Sequence, residues 1–123
     1  MKIKRLAEIS ASEDTLKEEF KNAKKMSEVR LGENHMFYRY FLRISAIAYT
    51  QIQKIFLRVE SGEVGEFPLT EHYLMVYDLH NQEYKFRLER PEDAKAVIAF
   101  FEENVPNVEI GFFKGKSGKK DKR

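Results

Sequence analysis

The chain has no cysteine, so a disulfide framework, a thiolate metal site and a cysteine nucleophile are all excluded. It also lacks any apolar run approaching the ~20 residues that a membrane-spanning helix requires. Met1 to Ile9 carry basic residues but no apolar stretch of signal-peptide length, and Glu13 and Asp14 follow. A cytoplasmic location is the expectation. The three histidines, His35, His72 and His80, show no paired ligand spacing such as His-x-x-x-His. No nucleophile elbow, Walker loop or dinucleotide fingerprint occurs either. The chain is therefore expected to be non-enzymatic, with no metal and no cofactor.

What is present suffices for one folded unit. With 123 residues, 42% of them hydrophobic, the chain is too apolar to stay disordered and too short for two domains. Its net charge of +2 conceals an asymmetry. Positions 114 to 123 hold Lys114, Lys116, Lys119, Lys120, Lys122 and Arg123 against Asp121 alone, leaving 16 basic and 19 acidic residues in the first 113. Residues 1–113 are expected to form a single domain and 114–123 a flexible basic tail that buries nothing.

Hydrophobic period organises the rest. The spacing Ser10-Ala-Ser-Glu13 reads as a capping box, and Leu16, Phe20 and Ala23 then fall on one face of a helix expected over about 12–28, with Met26 near it. Gly32-Glu-Asn34 signals a turn. Strands are expected at about 35–41 and 43–49, the second with a bulge or bend near Ser45 and Ala46, and a third from Ile52 to Glu60. Gly62, Gly65 and Pro68 mark 61–70 as the longest loop. A hairpin over 72–78 and 83–89 turns at His80-Asn81. Pro91 then opens an amphipathic helix to about Asn104, burying Ala94, Val97, Ile98, Phe101 and Val105, and a last strand is expected over 108–113.

This order, with Ile47-Ala-Tyr-Thr-Gln-Ile52 on one strand and Pro91-Glu-Asp-Ala-Lys-Ala-Val-Ile98 opening the closing helix, resembles bacterial pleckstrin-homology-like (PH-like) domains over roughly residues 29 to 105. The resemblance implies an α+β fold: a partly open barrel of two packed antiparallel sheets closed by the helix at 91–104, here with an extra N-terminal helix. It also implies a scaffold used for binding rather than chemistry.

Two functions follow as expectations. The first is a PH-like binding or assembly module that recognises a protein or peptide, or a second copy of itself, because apolar and aromatic residues on both faces of several strands exceed what a small core needs. The alternative is a peripheral anion-binding protein that uses Lys114, Lys116, Lys119, Lys120, Lys122 and Arg123 on anionic lipid or nucleic acid. Other groupings are weaker pointers. Phe37, Tyr38, Tyr40, Phe41, Tyr73 and Tyr77, interleaved with Arg39 and Arg43, have the composition of a base-stacking platform. The acidic pair Glu102-Glu103 reads as a solvated face.

Overall fold

Two blocks of strand-forming residues build two sheets. The computed structural model describes residues 2–65 and 67–111. Within these lie β1 (Ile3–Leu6), α1 (Glu13–Asn22), β2 (Lys24–Met26), β3 (Val29–Leu31), β4 (His35–Tyr40) and β5 (Arg43–Ala48). They are followed by β6 (Ile52–Val64), β7 (Phe67–Asp78), β8 (Glu83–Leu88), α2 (Pro91–Asn104) and β9 (Glu109–Gly111). The first sheet has the order β1-β5-β4-β3-β2 and the second β8-β7-β6-β9. The sheets do not close on each other, so the fold is α+β with a partly open, sandwich-like core.

That core lies between the sheets. Val29, Met36, Ile47, Ile55, Leu74 and Val76 meet there, and α2 adds Ala94, Val97 and Phe101 as it packs against β2, β6, β7 and β8. Each large side chain fully buried this way contributes about 1.5–3 kcal/mol. A second cluster covers the opposite face of the first sheet, where Leu16 and Phe20 of α1 pack on Ile3, Phe37, Ile44 and Ala46. The Phe20 and Phe37 rings meet edge-on at 5.4 Å. The first sheet is therefore buried on both faces, and this explains why β4 and β5 show no clean alternation. No bulge is needed at Ser45 and Ala46, since β5 pairs without interruption and Ala46 is simply covered by α1.

Four further expectations are corrected. Neither sheet is purely antiparallel: β1 joins β5, and β9 joins β6, as parallel edge strands. The segments between those partners are long enough to supply the crossovers that parallel pairing needs. The helix expected to reach residue 28 ends at Asn22, because its buried stripe is only Leu16 and Phe20. Beyond it the chain enters a hairpin, with β2 pairing to β3 across a turn in which Ser27 has φ +60. The N-cap is Ser12, whose Oγ accepts the Thr15 amide at 3.1 Å, and Glu13 instead reaches back to accept the Ile3 amide at 2.8 Å.

The expected loop at 61–70 is the end of a long ribbon in which Ser61 to Val64 pair with Thr70 to Phe67, turning at Gly65 with φ +66. A ribbon of two strands has open edges on both sides, so a proline's missing N–H can face outward at no cost to the ladder. α2 matches its expected bounds, and the expected hairpin is present, pairing His72–Tyr77 of the longer β7 with Glu83–Leu88 around Asn81 at φ +65. The last strand is β9. Phe112, Phe113 and the tail lie outside the described residues.

Candidate functional site

Side chains alternate along a strand, so ladder partners reveal which residues share a surface. On the face of the first sheet turned toward the second, Met36, Ile47 and Leu6 form one row inside the core. Tyr38, Ser45 and Lys4 form the next row, and Tyr40 with Arg43 the one after. β8 is the edge of the second sheet, and it leaves these outer rows partly uncovered. They open into a groove of about 640 Å³, flanked by Lys85, Phe86 and Arg87 of β8 and by Lys2 and Leu42.

Tyr38 joins the two walls. Its ring lies 4.7 Å from Phe86, and its hydroxyl donates to the Arg87 carbonyl at 2.7 Å. Burial, reinforced by the charge of Glu28, pushes its phenol up to about 12. It therefore stays a neutral donor near pH 7.

The charge of the groove has one sign. Lys2, Lys4, Arg43, Lys85 and Arg87 line it, and no carboxylate does. Lys85 and Arg87 are engaged elsewhere, with Glu60 at 3.2 Å and Glu71 at 3.1 Å respectively. Arg5, Arg58 and Arg90 also face carboxylates. Among the described residues, Lys2, Lys4 and Arg43 have neither an ion-pair nor a hydrogen-bond partner. All three are exposed, so they can meet an external anion with little desolvation.

At the outer end of the groove, Tyr40 pairs with Arg43 across a two-residue reversal made by Phe41 and Leu42. Phe41 has φ +57 at the first central position, where such hairpins favour glycine. Its ring lies 4.5 Å from that of Tyr40, and its carbonyl accepts a bond from Arg39 Nε at 3.1 Å.

The sequence-based candidates are dispersed. Phe37 is core, while Tyr38, Tyr40 and Arg43 line the groove and Phe41 sits at its tip. Tyr73 and Tyr77 lie on the outer face of the second sheet, donating to Glu71 at 2.7 Å and Glu83 at 2.6 Å. The six aromatics therefore form no single stacking platform. His35 is buried against Glu19, His72 pairs with Val59 inside β7, and His80 lies in the hairpin turn. Among the described residues, no three His, Asp or Glu side chains gather to hold a metal ion. Glu102 and Glu103 are exposed on α2. Lys114, Lys116, Lys119, Lys120, Lys122 and Arg123 lie outside the described residues.

Lys2 and Lys4 are the site residues that sequence reasoning missed. The signal was present in the alternation Lys2-Ile3-Lys4, where buried Ile3 separates two exposed cations. Four residues are too short a strand to stand out, and a parallel partner forty positions away leaves no local turn signature.

A family model described as a domain of unknown function, DUF6709, matches residues 2–117. No curated protein and no solved structure matches the chain.

Proposed function

The chain belongs to the DUF6709 family, and on that footing we propose that it is a non-enzymatic binding module whose open end receives an anionic partner. One contrast carries this reading. Lys2, Lys4 and Arg43, unpaired among the described residues, gather on a groove that no carboxylate lines, whereas Arg5, Arg58 and Arg90 are matched to acids within the fold and other unpaired lysines, such as Lys17 and Lys95, stand apart from it. Charge-assisted contacts from Lys and Arg, with the hydroxyls of Ser45 and Tyr40 beside them, are what a phosphate or carboxylate needs.

The finer fold reading is PH-like. Two packed meanders and a helix against one side of the sandwich support it, and such scaffolds are used for binding rather than chemistry. The cations at positions 114–123 act by the same electrostatics and would add to the attraction. A protein or peptide partner is the second reading. It is favoured by β8, a six-residue edge strand beside the groove to which an extended segment could pair.

The test is an amide chemical-shift titration with inositol hexakisphosphate as a generic polyanion. Resonances of Lys4, Arg43, Ser45 and Arg87 should move, and affinity should fall at least about tenfold between low and ~0.5 M salt. Shifts confined to α1, or binding indifferent to salt, would contradict the reading.

A further inference from the structure

Resting on the anion-binding reading, we propose that the open end docks on an anionic lipid bilayer, with Phe41 and Leu42 inserted at the acyl boundary and Lys2, Lys4 and Arg43 on the headgroups.

The apolar surface is concentrated where this requires it. Tyr40, Phe41 and Leu42 are 51%, 78% and 87% exposed, while among the described residues the other exposed large apolar side chains, Leu69 and Leu79, lie elsewhere on the chain. On this reversal Phe41 protrudes beyond the groove that Tyr40 and Leu42 line. A protrusion suits a soft apolar phase that opens to receive it.

The backbone supports the same reading. Phe41 holds φ +57, a conformation that costs a bulky residue energy and that glycine would adopt freely. The strained position carries a large ring pointed into solvent, where it meets the half-exposed ring of Tyr40. With the ring 78% exposed, the contact with Tyr40 offsets only part of the strain, which leaves the ring available to a partner outside the fold.

Charge is arranged in depth. Arg43 adjoins the tip, and the Ser45–Lys4 row lies two residues behind it, about 7 Å along a strand. That step matches the roughly 5–10 Å over which an interfacial element passes from headgroups to acyl chains. The carboxylates Asp14, Glu18, Glu19 and Glu33 surround a groove beside α1, which packs on the other face of the first sheet. Of these two grooves the one at the tip is the cationic one, which favours a tip-first approach to an anionic surface.

The experiment is co-sedimentation of the full chain with vesicles of phosphatidylcholine, alone or with about 30% phosphatidylserine. Wild type should pellet with the anionic vesicles and stay in solution with the neutral ones. F41S/L42S should weaken this binding about tenfold or more, and Phe41→Ser alone, at a position outside the groove lining, should weaken it while leaving the affinity for inositol hexakisphosphate unchanged. K4E/R43E should weaken both, again by about tenfold. K95E, a single charge reversal on an exposed position of α2, should change neither.

Thermal midpoints of the tip variants should stay near wild type, because both side chains are exposed. If F41S/L42S proves unstable, Phe41→Gly removes the ring and the strain together and should also bind vesicles more weakly. Vesicle binding by F41S/L42S or Phe41→Gly equal to wild type would overturn insertion. So would a wild type that binds polyglutamate, or its own copies through the acidic α1 groove, and ignores vesicles. Both outcomes would leave anion binding standing, whereas no response to any polyanion would remove both readings.

Discussion

Glu19 and His35 are joined across α1 and β4, with Glu19 Oε1 lying 2.8 Å from His35 Nδ1. The second carboxylate oxygen accepts the amides of Asn34 at 2.6 Å and His35 at 2.8 Å, so one side chain holds the β3–β4 turn to the helix. Replacing Glu19 with Ala leaves those donors without their acceptor and should cost about 2–3 kcal/mol in denaturant unfolding. Gly32 has a matching role, because a Cβ there would lie 2.5 Å from Glu19 Oε2. Gly32→Ala should therefore destabilise in wild type and cost much less in a Glu19→Ala background. Additive losses would show that the two positions are uncoupled.

Tyr38 makes the fold sensitive to alkali. A phenol whose value in the fold is raised stabilises fully below its unfolded value near 10. That contribution is lost as pH climbs through about 12. Burial raises Tyr49 in the same direction. Unfolding free energy should fall across this window together with the rise of phenolate absorbance. Tyr38→Phe should cost about 1 kcal/mol at neutral pH, from the lost bond to Arg87, and should reduce the alkaline slope. An unaltered slope would remove Tyr38 as its source.

Asp78 governs the acid limb. Burial opposes its ionisation, but the amides of Gln82 and His80 and the Tyr84 hydroxyl outweigh that and hold its carboxyl below the usual aspartate range. Its contribution is complete above the unfolded value near 3.8 and disappears as pH falls through the lower folded value. Asp78→Ala should cost about 2 kcal/mol at pH 7 and flatten the acid dependence. A variant that keeps the wild-type acid slope would show that other carboxylates set it.

Phe41→Gly separates stability from binding. Relief of the positive φ outweighs the added flexibility of glycine, so the fold should gain about 0.5 kcal/mol. A stability loss above about 1 kcal/mol would mean that the ring packs within the fold, and would undercut its assignment to an external surface.

Much of the fold is legible in the sequence where period and punctuation agree. Pro91 starts α2, the Ala94, Val97 and Phe101 stripe buries it, and Asn81 turns the β7–β8 hairpin. Legibility fails where one residue satisfies two patterns. Met26 fits a helical stripe as well as an extended hairpin, and Gly62 and Pro68 suggest a loop unless the strands holding them form a free ribbon. Alternation carried through 35–41 would point Phe41 the same way as Phe37. Only the reversal at positive φ turns it outward. The groove was less accessible still, since it joins β1 to β4, β5 and β8 through one parallel pairing and the packing of one sheet on another. Neither leaves a mark on neighbouring residues.

Insertion of the 40–43 turn is measured most directly by fluorescence. The chain contains no tryptophan, so Leu42→Trp places a single reporter at the tip. Its emission should shift to the blue and become shielded from an aqueous quencher when phosphatidylserine-containing vesicles are added, and should not change with phosphatidylcholine alone. Emission that keeps its water-exposed position while the protein pellets with anionic vesicles would contradict insertion outright.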